Sequence, residues 1–187
     1  MCGRASINPM KATASLHDVV RHLLVPVLAL GLSLSGASAA TTQGVDARTA
    51  FARLKSLSGD WTGSKMMGHR MNVDYRVIAG GSAVLETCFP GTPMEMVTVY
   101  YVKGNDLILS HYCMLGNQPR MKLNTKKSTP DTLVFDFAGG DNIGSTKSHM
   151  HSATLKFVGR NRLESTGTLK ERGKPESTCS TTLTRKG

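Results

Sequence analysis

The chain has 187 residues, 40% apolar and 19% charged, which suits one domain with its own core and excludes a disordered chain or two full domains. It carries 23 Lys and Arg against 13 Asp and Glu. These basic residues, Lys126-Lys127 among them, are scattered with no aromatic stripe between them, so they read as a solvated face and no nucleic-acid partner is expected.

Residues 1–39 read as a cleaved secretory signal peptide. Met10-Lys11 looks like its start, and Lys11 and Arg21 give it a positive n-region. The stretch from Leu23 to Leu34 is the apolar segment, too short for a membrane span of about twenty residues. Ala37-Ser38-Ala39 is the small-residue cleavage pattern. A periplasmic or extracellular location follows as an expectation. Without Arg4, Lys11, Asp18 and Arg21 the mature chain keeps a charge of +8, and no later segment is apolar enough to span a membrane.

Residues 46–58 read as a short N-terminal helix. Asp46 can cap it, Phe51, Leu54 and Leu57 share a face, and Gly59 ends it. From 59 to 187 the pattern is short β segments, near 60–67, 70–79, 82–89, 94–103, 106–114, 119–127, 132–138, 148–158, 161–171 and 176–185. Turn residues separate them, such as Gly80-Gly81, Pro90-Gly91, Gly104-Asn105 and Gly116-Asn117. No helical pattern interrupts these segments, so parallel crossovers are excluded. The expected fold is all-β: a roughly ten-stranded antiparallel up-and-down barrel, which removes its edges by closing.

The stretch Leu57-Ser58-Gly59-Asp60-Trp61-Thr62-Gly63 resembles the opening of the lipocalin-like, or calycin, barrels. The strand count is similar in outline to the nitrobindin-like barrels. Two further stretches, 111–121 and 149–152, look like signatures of a group of secreted bacterial barrels with no assigned function. The chain departs from that group at Glu164-Ser165, where an acidic–Trp pair is the group's pattern. The resemblance implies small-ligand binding inside a barrel, with Trp61 covering the bottom of the core. It carries over no heme ligand.

Strand parity locates the unusual side chains. His111 and Cys113 lie near the end of the fifth strand, and His149 and His151 near the start of the eighth, so all four fall at one mouth. Leu107, Leu109, His111 and Cys113 share a face, as do His149, His151, Ala153, Leu155 and Phe157. Those apolar-rich faces are expected to line the interior, with Met94, Met96 and Met121 nearby and with Gln118 and Arg120 beside the mouth for an anion. The ligand-binding candidates are therefore His111, Cys113, His149, His151, Gln118, Arg120 and Met121.

Imidazole and thiolate groups are also metal ligands, so His111, Cys113, His149 and His151 are a candidate metal or heme set. A third reading is an uncharacterised enzyme in which Cys113 is a nucleophile paired with His111 or His149; the sequence supplies no orienting third group. No catalytic residue is assigned, and no motif names a cofactor. Cys88, Cys113 and Cys179 fall at the same end, and in an oxidising compartment two are expected to pair, with the pairing left open. Glu86, Asp74, Glu95 and Asp136 read as scattered strand positions. The favoured function is a secreted binding protein for a small apolar or amphipathic molecule.

Overall fold

The computed structural model describes residues 44–66, 68–144 and 148–187. The leader expected at 1–39 lies outside them. No helix among the described residues is long and apolar enough to cross a membrane.

Helix α1 (Ala47–Lys55) starts where the sequence predicts, because the Asp46 carboxylate accepts hydrogen bonds from the backbone N–H of Arg48 and Thr49 at 2.8 and 3.1 Å. It stops three residues short of the expected end. The Ser56 hydroxyl turns back to donate to the Arg53 carbonyl at 2.7 Å, and Gly59 already belongs to the first strand. Ala47, Ala50, Phe51 and Leu54 are buried.

Ten strands follow: β1 (Gly59–Met66), β2 (His69–Ile78), β3 (Ala83–Cys88), β4 (Met96–Lys103), β5 (Asp106–Tyr112), β6 (Gln118–Leu123), β7 (Thr132–Asp141), β8 (Ser148–Val158), β9 (Arg162–Glu171) and β10 (Ser177–Arg185). Each pairs antiparallel with the next, and β10 pairs with β1, so the sheet closes into the expected barrel. The closing seam has a short register: Trp61, Thr62 and Gly63 lie opposite Arg185, Thr184 and Leu183. Gly63 is required there. A Cβ at this position would stand 2.7 Å from Leu183 Cδ2 and 3.0 Å from the Thr182 carbonyl oxygen.

One end of the barrel is sealed. Trp61 is 1% exposed and its Nε1–H donates to the Leu57 carbonyl at 2.7 Å. Its ring meets Tyr75 edge-on at 6.4 Å, and the Arg185 guanidinium lies 4.4 Å above it. Arg185 also donates to the carbonyls of Ser56 and Ser58 at 2.7 and 2.6 Å, which ties the last strand to the end of α1. Phe51, Leu54 and Leu57 join the same core as Leu107, Leu133, Leu163 and Leu183.

Burial is graded from this floor to the other end, but only on one wall. On β7 to β10 the inward residues near the floor are buried: Leu133 and Phe135, Leu155 and Phe157, Leu163, Thr181 and Leu183. Higher up the same faces are half-buried: Phe137, Ala153, Ser165, Gly167 and Cys179. On the facing wall Cys88 and His111 stay buried close to the ends of their strands. The upper interior is therefore less fully covered along β7 to β10, where Ala, Ser and Gly stand, than along β2 to β5.

Candidate functional site

A transverse row of polar side chains crosses the packed wall. Tyr75 lies opposite Glu86, Glu86 opposite Thr98, and Thr98 opposite His111, one residue from each of β2 to β5. All four share the inward face with Val73, Val84, Cys88, Tyr100 and Leu109.

Glu86 is the hub of this row. Tyr100 donates its hydroxyl to Glu86 Oε2 at 2.6 Å, Cys88 donates its thiol to Oε1 at 3.2 Å, and Tyr75 is a third hydrogen-bond partner. Burial raises the Glu86 carboxyl above its ordinary range, against the pull of those three hydrogen bonds. The same burial, with Glu86 next to them, pushes the Tyr75 and Tyr100 hydroxyls and the Cys88 thiol well up. Glu86 as a residue is half-buried, while Tyr75, Cys88 and Tyr100 are buried.

His111 is 6% exposed and shares a hydrogen bond of 2.9 Å between Nδ1 and Thr98 Oγ1. Its Nε2 is buried with no partner. Burial lowers its pKa to about 4, so the ring is neutral at physiological pH. Whichever nitrogen carries the proton, Nε2 offers one unused polar function, as donor or as acceptor.

Replacing Glu86 tests the hub. Glu86→Ala strands two phenolic hydroxyls and a thiol and should cost about 2–4 kcal/mol in unfolding free energy. Glu86→Gln keeps an acceptor and should cost less than about 1 kcal/mol at acid pH. Because the folded state holds the Glu86 proton more tightly than the unfolded chain, wild-type stability should fall relative to Glu86→Gln as pH rises above the ordinary value of 4.5. Denaturant titrations of both variants from pH 4 to 8 measure this; an Ala variant as stable as Gln would count against the hub.

The other predicted residues do not converge on His111. Cys113 follows β5, half-buried, and burial raises its thiol, which disfavours the thiolate a nucleophile needs. Met121 is fully buried core. Arg120 is exposed and ion-pairs with Asp141 at 3.3 Å, and Gln118 Oε1 accepts from the Asn142 side-chain amide at 2.7 Å, so both engage the end of β7 and the turn after it.

His149 and His151 contact each other, with Nε2 and Nδ1 3.2 Å apart, and both pack on Phe137 with centroids 5.0 and 4.8 Å from it. The strict parity expected for β8 is broken. A bulge between Met150 and Ser152 lets β8 use one extra residue against β9. His149 then pairs with Lys170, and Met150 takes the place opposite Leu169 on the Gly167 face; Met150 Cε stands 3.0 Å from where a Gly167 Cβ would be. Single-sequence alternation has no means of detecting such an insertion. Burial lowers the His149 pKa, and His151 and Lys170 add to the effect.

Among the described residues no group of three or more His, Cys, Asp and Glu side chains is arranged to hold a metal ion, so His111, Cys113, His149 and His151 do not form the set the sequence suggested. The expected disulfide is also absent: Cys88, Cys113 and Cys179 are free thiols. Cys88 on β3 and Cys179 on β10 are three strands apart around the wall, roughly 14 Å, whereas a disulfide needs Cα atoms within about 7 Å.

Glu86, Tyr75 and Tyr100 are the site residues that sequence reasoning missed. The signal was the alternation Val84, Glu86, Cys88, which puts Glu86 on an apolar face. No protein-family model and no curated protein matches this chain. The closed ten-stranded barrel fits a calycin-like barrel in outline.

Proposed function

We propose that this barrel binds a small apolar or amphipathic molecule in its upper interior, with the polar end of that molecule directed at His111 Nε2 and Glu86. The observation that carries the reading is the buried, unpartnered Nε2 in a row of polar groups within an otherwise apolar wall. A buried polar atom without a partner is costly, and a ligand group that completes the hydrogen bond recovers that cost on binding. The inward Ala153, Ser165, Gly167 and Cys179 support it, because they are small and only half-buried where the rest of the interior is packed. The protonated tendency of Glu86 and the neutral His111 favour an uncharged polar group, such as a hydroxyl, carbonyl or amide. In this reading the chain is a secreted calycin-type binding protein, acting outside the cytoplasm after removal of its leader.

Nile red, an uncharged dye whose emission shifts to the blue in apolar surroundings, tests the proposal. It should bind saturably to wild type. Gly167→Leu adds a side chain against Met150, whose Cε stands 3.0 Å from a Cβ there, so the displaced Met150 and the new leucine crowd the upper interior and should weaken dye binding about tenfold or more, equivalent to about 1.4 kcal/mol. Circular dichroism melting checks that this variant remains folded. Absence of saturable dye uptake by wild type, or equal uptake by folded Gly167→Leu, sinks the proposal.

A further inference from the structure

The sealed end of the barrel carries a second feature, independent of the upper interior. A cavity of about 420 Å³ opens beside the floor and is lined by Arg53, Ser56, Leu57, Trp61, Phe157 and the β8–β9 turn with Arg185. Four of its lining residues are arginines, Arg53, Arg160, Arg162 and Arg185, and none is acidic.

The charges that balance these arginines are few. Arg53 pairs at 3.1 Å with Asp131, whose side chain is 73% exposed. Arg162 pairs at 2.9 Å with Glu164, but Glu164 also takes Lys156 at 3.2 Å, and the two cations hold its carboxyl below the usual range. Arg185 spends its N–H groups on neutral carbonyls and stacks on Trp61. The exposed Arg160 engages only through its backbone carbonyl, to which Arg185 Nε donates at 3.4 Å. Arg53 stacks at 4.4 Å over Phe157, and its Nε is buried with no partner. Around the cavity, five cations thus meet two carboxylates.

From this surplus we infer that the cavity is an oxyanion site, built for a phosphate group. Guanidinium forks match the tetrahedral oxygens of phosphate in paired hydrogen bonds, and a doubly charged ligand neutralises the excess better than a carboxylate does. Arg53 and Arg185 are fixed by stacking and by the floor, so they offer positive charge at low entropic cost. Arg160 sits on the β8–β9 turn with its guanidinium uncommitted, and Arg162, the first residue of β9, shares Glu164 with Lys156, so both can turn to the anion.

The phosphate has two possible sources, a soluble phosphate or ester and a lipid headgroup, and one experiment separates them. Trp61 is the single tryptophan and lines the cavity, so its emission reports occupancy. The full chain is titrated with inorganic phosphate at fixed ionic strength, with chloride as control, and calorimetry follows the same titration. The expected result is a saturable response to phosphate alone. Arg160→Ala combined with Arg162→Ala should weaken it at least about tenfold, with the melting temperature nearly unchanged because both side chains are exposed. Sedimentation with phosphatidic acid vesicles, against phosphatidylcholine vesicles, names the source: co-sedimentation lost in the double variant assigns the headgroup, and phosphate binding without sedimentation assigns a soluble ligand. No saturable response by either method overturns the inference, as does a double variant that binds phosphate like wild type.

Discussion

Trp61→Ala should lower the unfolding free energy by about 4 kcal/mol, the loss typical of a large buried aromatic cut to a methyl group. Three contacts fail together. The edge contact with Tyr75 goes, the Leu57 carbonyl loses its N–H donor, and the Arg185 guanidinium loses the ring beneath it. Trp61→Phe keeps a ring but loses the hydrogen bond, and should cost about 1–2 kcal/mol. Urea unfolding of both variants gives the values, with an unchanged slope required for the comparison. A loss below about 1 kcal/mol for Trp61→Ala would mean that the floor is held without the tryptophan.

The second large effect is on acid stability. The folded barrel holds His111 neutral down to about pH 4, whereas in the unfolded chain it takes a proton below 6.5. A folded-state pKa lowered in this way gives stability that is complete above pH 6.5 and lost as pH falls toward 4. The shift corresponds to about 3 kcal/mol. Comparing wild type with His111→Gln at pH 7 and pH 4 isolates it, since the glutamine does not titrate. The stability advantage of wild type should shrink by about 3 kcal/mol over that interval. A constant difference would mean that the imidazole is not held neutral by its surroundings. Glu86 has the opposite slope, gaining relative stability as pH falls, so the two residues oppose each other within one row.

Much of the barrel was legible in the sequence because its turns are written in Gly, Pro and Asn, and turn residues act locally. The ten strands lie within a few residues of their predicted positions, and Asp46 caps α1 through its own neighbours. The site was less legible because it depends on register between strands. His111 was correctly placed on an inward face, but its partner Thr98 is found only from the β4–β5 pairing. Glu86 resembled any polar strand residue until Tyr75 and Tyr100 were brought beside it. The β8 bulge displaced His149 from its expected face, and the strands between β3 and β10 keep Cys88 and Cys179 apart.

The short seam between β1 and β10 has a consequence for how the chain reaches this state. Every other strand finds its neighbour through a hairpin, but the Leu57 carbonyl and the Arg185 guanidinium that meet at the seam are 128 residues apart in sequence. Closing so long a loop carries an entropic cost before any contact offsets it, and topologies rich in such contacts fold slowly. The barrel wall can assemble as a meander while its ends remain unpaired, exposing two strand edges that invite association with another chain. Trp61, Gly63 and Arg185 act at that last step: the glycine allows the edges to approach, and the tryptophan and arginine latch them. The latch thus limits how long the unfinished barrel is exposed to misassembly.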